Sequence, residues 1–127
     1  MPHEPAHAWD RLVAWANRHD LTVRFSAKST ALEADGTTIT INRYARGQSR
    51  VYDLAHECGH ALCGHRWDLH WRHNLIREEL DAWDAGRWIL RSLRCPPDPW
   101  AWEQHVAYRL KLYFAWAAKR VRTGRRA

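Results

Sequence analysis

The stretch "YDLAHECGHALCGHRW", residues 52–67, holds three histidines, two cysteines and one glutamate within sixteen positions. Inside it, His56-Glu57-Cys58-Gly59-His60 fits the pattern H-E-x-x-H, in which two histidines one helical turn apart bind zinc and the glutamate acts as general base. A chain this rich in histidine yields about 0.03 such matches by accident, so helical geometry is the test of the motif. With about 100° per residue and Val51 at zero, Val51, Leu54, Ala55, Cys58 and Leu62 gather within about 60° of one direction and form a core face. His56 and His60 fall together on the opposite side, at about 140° and 180°. Glu57 projects at about 240°, beside the histidines and clear of the core. Cys58 therefore reads as a small buried hydrophobe. Cys63 lies near the histidines, but ligands at i, i+4 and i+7 of one straight helix string out along its axis, so it reads as a neighbour of the site or as inert.

A catalytic zinc uses three protein ligands and one open position for water. The next helical stretch, "NLIREELDAWDAGRWILRSL", offers the third ligand. Its apolar stripe comprises Leu75, Ile76, Ala82, Trp83, Gly86, Leu90 and Leu93, and Glu79 sits within it. An unpaired carboxylate there is costly to desolvate, so it needs an arginine or a cation; beside H-E-x-x-H, metal ligation is the preferred reading. Glu78 points about 100° away. His65, His70 and His73 lie in the connecting segment with no geometric argument for a role, His73 being nearest the Glu79 helix.

The remaining pattern predicts an α+β fold with a small antiparallel sheet packed by helices. Helical spacing covers residues 8–19, about 50–64, about 74–93 and about 100–122, and "CPPDP" at 95–99 ends the third helix. "LTVRFS" alternates as a strand, and Asp35-Gly36 divides two β-prone runs as a hairpin turn does, with the second strand at Thr37 to about Arg43. The nine tryptophans fall mostly at helical spacing and are assigned to packing. A chain of 127 residues is expected to make one domain, residues 1–127, with a basic tail at about 119–127. No apolar run approaches the roughly 18 residues of a membrane span. "MPHEPAHAWD" lacks a signal-peptide pattern and three cysteines cannot all pair, so the expected setting is the cytoplasm, without a membrane partner. The net charge of +6 is concentrated in "KRVRTGRRA". Those cations suit the negative end of a helix dipole, and weak contact with nucleic acid is the other use they allow.

The strand before "LAHECGHAL" and the downstream Glu79-Leu80-Asp81-Ala82, a Glu-x-x-Ala, resemble zinc metallopeptidases of the gluzincin type, particularly the compact ImmA/IrrE-like enzymes. The resemblance covers about residues 20–95. It implies a minimal zincin-like fold, a Zn2+ cofactor held by His56, His60 and Glu79, Glu57 as catalytic base, and a protein or peptide substrate. "TTITINRY" reads equally as an ordinary sheet strand or as an exposed edge strand to which a peptide adds through Thr40 and Asn42. Tyr52, one turn before His56, and Tyr44 are candidates for contact with the substrate oxyanion. The competing class is a non-catalytic DNA- or protein-binding module stabilised by zinc, in which Cys63 or His73 closes a four-ligand site.

Overall fold

α1 (Pro5–Arg18) buries Ala8, Leu12, Trp15 and Ala16 at helical spacing. It closes in a Schellman motif, with Leu21 N–H donating to Ala16 C=O at 2.9 Å and Asp20 N–H to Asn17 C=O at 3.2 Å. Asp20 takes the left-handed conformation, φ 60°, that this motif requires. In the computed structural model of the chain, the described residues are 5–27, 30–33, 35–64 and 75–124.

Three strands follow, β1 (Thr22–Ser26), β2 (Ala31–Leu32) and β3 (Thr38–Asn42). The expected Asp-Gly turn joins the last two. Asp35 Oδ1 accepts the N–H groups of Thr37 and Thr38, both at 2.9 Å, and Gly36 supplies φ 73°. Those donors hold the Asp35 carboxyl below its usual range. Ile39 and Ile41 are fully buried and alternate with half-buried Thr38, Thr40 and Asn42.

The fold is α+β, as expected, but the sheet is mixed, in the order β1-β3-β2. The antiparallel expectation holds for β2 with β3 and is corrected for β1 with β3, which pair in parallel from Thr22↔Thr38 to Ser26↔Asn42. The chain reverses direction into β2 and again into β3, so β1 and β3 run the same way, and both lie beside each other. β3 is therefore the central strand rather than an edge. This corrects the reading in which a peptide adds to "TTITINRY".

α2 (Gly47–Leu62) carries the H-E-x-x-H motif and α3 (Leu75–Ser92) packs along it in the most extensive contact between elements. Val51, Leu54, Ala55 and Cys58 are buried as the wheel requires, whereas Leu62, in the last turn, is exposed. On α3, Ala82, Trp83, Gly86, Ile89 and Leu90 are buried and Ile76 is exposed. The predicted stripes thus hold in the middle of each helix and fail at one end. α3 ends in a second Schellman motif, with Cys95 N–H on Leu90 C=O at 2.9 Å and Arg94 at φ 60°, immediately before the prolines. Arg11 Nη1 of α1 donates to Leu93 C=O at 2.7 Å and ties this end down.

The chain divides into two compact units, Met1–Pro97 and Asp98–Ala127. The second is α4 (Pro99–Gly124), with Asp98 Oδ2 capping the Ala101 N–H at 2.8 Å and proline in the first helical position. Among the described residues no helix is long and apolar enough to cross a membrane.

The α2–α3 contact depends on two glycines. A Cβ on Gly59 would fall on the Ala82 carbonyl oxygen, and one on Gly86 would lie 2.5 Å from the Ala55 carbonyl oxygen and 2.8 Å from its carbon. The obstacles are backbone atoms, which cannot swing aside. A glycine-to-alanine change inside a helix ordinarily stabilises by up to about 1 kcal/mol. Here the sign should reverse: Gly59→Ala and Gly86→Ala are each expected to cost about 1–3 kcal/mol, the range for overpacking, measured by chemical denaturation. A stabilised Gly59→Ala protein would show that the helices are not in backbone contact.

Candidate metal centre

His56, Glu57 and His60 of α2 form a cluster that could hold a metal ion, with one ligand atom from each lying within 4.8 Å of the others. α3 adds Glu79, whose Oε2 lies 3.0 Å from His56 Nε2 and whose Oε1 lies 2.9 Å from His60 Nε2. The four side chains are 8–17% exposed. His56 thus faces a carboxylate from each ring nitrogen, Glu57 Oε2 at Nδ1, 3.0 Å, and Glu79 at Nε2. On the Nε2 side both imidazoles meet one carboxylate, that of Glu79.

Burial works against charge on His56 and Glu79, and their contacts overcome it. Desolvation lowers the His56 pKa, but Glu57 and then Glu79 more than offset that and raise it to about 9. Desolvation likewise opposes the Glu79 carboxylate, yet hydrogen bonds from His56 and His60 hold its pKa well below the usual carboxylate range. Cys58 is fully buried, and burial, assisted by Glu57, pushes its thiol far up, which fits a packing role. Cys63 is exposed, its Sγ lying 3.9 Å from the Asp81 carbonyl oxygen, and it is not part of the donor cluster found among the described residues.

Two expectations are corrected here. Glu57 is not clear of the core. It is buried, and its Oε1 accepts the Leu32 N–H of β2 at 2.8 Å, because the sheet covers the side of α2 that a wheel drawn for one apolar face leaves open. Thr40, Asn42 and Tyr52 do not form an open substrate surface. The Thr40 hydroxyl donates to Ala31 C=O at 3.3 Å, Asn42 Oδ1 accepts the Tyr44 N–H at 2.9 Å, and Tyr52 is buried. Tyr44 is exposed. His65, His70 and His73 lie outside the described residues.

Sequence reasoning missed Trp83. Its ring stacks on His56 at a centroid distance of 3.9 Å and 9° between planes, while His60 meets His56 edge-on at 4.5 Å. The available signal was its spacing: Trp83 lies one turn after Glu79 on the same face of α3. The Leu32 N–H was missed as well, and a backbone donor leaves no trace in residue type. Comparison with family models, with curated proteins and with solved structures finds no match to the chain.

The coupled charges give the metal-free protein a pH signature. The folded pKa of Glu79 lies below its ordinary 4.5, so the stability it contributes is present above pH 4.5 and is lost as the pH falls. That of His56 lies above its ordinary 6.5, so its contribution is full below pH 6.5 and is lost as the pH rises through about 9. Thermal melts of chelator-treated protein should therefore show this contribution at its maximum between pH 4.5 and 6.5, and Glu79→Gln should flatten the profile. Identical profiles for wild type and variant would refute the ion pair.

Proposed function

We propose that the chain is a zinc-dependent peptidase in which His56 and His60, through Nε2, and Glu79 hold the metal, and Glu57 is the general base. The observation that carries this reading is the mostly buried Glu79 carboxylate, whose two oxygens reach the Nε2 atoms of both motif histidines. Two imidazoles and one carboxylate suit zinc and leave a fourth position for water. When bound, zinc would lower the pKa of that water toward about 7 and polarise a substrate carbonyl.

The chain's own residues supply the proton handling. Leu32 N–H holds Glu57 Oε1, and Oε2, which keeps a lone pair beyond its contact with His56, can receive a proton and return it to the leaving amine. The same Oε2 faces His56 Nδ1. A carboxylate only accepts, so Nδ1 carries the hydrogen, Nε2 is the nitrogen given to the metal, and the ring is held in that orientation. Trp83 supports the ring from its face. β2 is the sheet edge beside Glu57, and it replaces β3 as the strand along which an extended peptide would lie. The substrate class is a protein or peptide.

The purified protein should bind about one zinc per chain, and His60→Ala or Glu79→Ala should remove most of it on dialysis while Glu78→Ala should not. Retention of zinc by Glu79→Ala and its loss from Glu78→Ala would reverse the ligand assignment.

Glu57→Gln separates catalyst from scaffold. The variant keeps the size of the side chain, one acceptor for Leu32 N–H and all three proposed zinc ligands, so most zinc content and folding should persist while cleavage of a protein substrate falls by a factor on the order of 10² to 10⁴. A zinc-stabilised binding module predicts no such asymmetry. Equal cleavage by wild type and zinc-loaded Glu57→Gln would defeat the proposed chemistry.

A further inference from the structure

Residues 1–98 contain thirteen basic and thirteen acidic side chains, so the whole formal charge of +6 belongs to the segment after Asp98, which is α4 and its short extension. Within that helix two faces differ. Val106, Leu110 and Tyr113 share one side and are half-buried. Roughly 130° around the axis, Tyr108, Leu112 and Trp116 follow one another at one-turn intervals and are 57%, 46% and 38% exposed. Cations lie within this second face, as Lys119 does, or along its margins, as Arg109 and Lys111 do. Lys111 and Lys119 are exposed, and the Arg109 guanidinium lies 5.7 Å from the centroid of the Tyr108 ring.

This mixture selects among polyanions. A helix that lies on a bilayer separates a charged face from a continuous apolar one. In α4 the exposed rings and the cations are interleaved, and the more uniformly apolar side is half-buried. A duplex would use the cations, but its bases are stacked on one another and offer nothing to the rings. Unpaired bases present their faces to aromatic side chains while their phosphates meet lysine and arginine. We infer that this face of α4 binds single-stranded nucleic acid, with Tyr108 and Trp116 as stacking rings and Arg109, Lys111 and Lys119 as phosphate contacts.

The full chain should be titrated by fluorescence anisotropy against a labelled oligothymidylate of about 20 nucleotides, a duplex of equal length, and vesicles of phosphatidylglycerol and phosphatidylcholine. The expected result is tighter binding to the single strand than to the duplex. Tyr108→Ala with Trp116→Ala should weaken single-strand binding by about tenfold or more and leave duplex binding nearly unchanged, with circular dichroism reporting intact helix. Lys111→Gln with Lys119→Gln should reduce the slope of log K against log salt by about 0.7 per charge removed. Equal affinity for single strand and duplex, insensitive to the ring substitutions, would overturn the inference in favour of unspecific charge attraction. Tighter binding to the vesicles, or no oligonucleotide binding at low salt, would also overturn it.

Discussion

Backbone contact between α2 and α3 is the constraint on which the rest of the structure depends. Helices separated by ordinary side chains lie about 8–10 Å apart, the distance varying with the residues at the contact. Gly59 and Gly86 remove the side chains at this crossing, and the Ala55 and Ala82 carbonyls occupy the space a Cβ would fill. Glu79 can then span the gap and reach His56 and His60 with both oxygens. Gly59 is one of the two unspecified positions of the H-E-x-x-H pattern, so the motif itself carries a residue whose duty is approach rather than chemistry.

The close approach brings together an unusual set of charges. Glu57, His56, Glu79 and His60 form an alternating chain of acid and base, mostly sheltered from water. Any one of them left unpaired there would carry a desolvation penalty of several kcal/mol, so each depends on the next. Such a chain is well suited to exchanging a proton for a metal ion, because the carboxylates that stabilise an imidazolium also stabilise a cation seated among them. Trp83 limits the freedom of the ring at its centre and excludes water from one side.

Much of this was legible in the sequence, for identifiable reasons. His56 and His60 were paired by angle, and Glu79 was singled out because a carboxylate within an apolar stripe needs a partner. The Asp35-Gly36 turn and the proline stop after α3 rest on backbone conformations that few residues adopt, so their signals are local. The parallel pairing of β1 with β3 was not legible, since alternation is the same in both strand orientations. The burial of Glu57 escaped because a wheel drawn for one helix cannot register a sheet covering a second face. The left-handed residues that close α1 and α3, Asp20 and Arg94, are not glycines, and the hydrogen bonds of the two Schellman motifs hold them there.

The bond from Leu32 to Glu57 has a consequence for how this protein can vary. The donor is a main-chain amide, so every amino acid except proline can supply it, and the buried Leu32 side chain is selected by the core rather than by the motif. The anchoring of the proposed base is thus insulated from most mutations at position 32. Among divergent chains built on this plan, its trace would be an absence: apolar residues of several kinds in β2, and no proline.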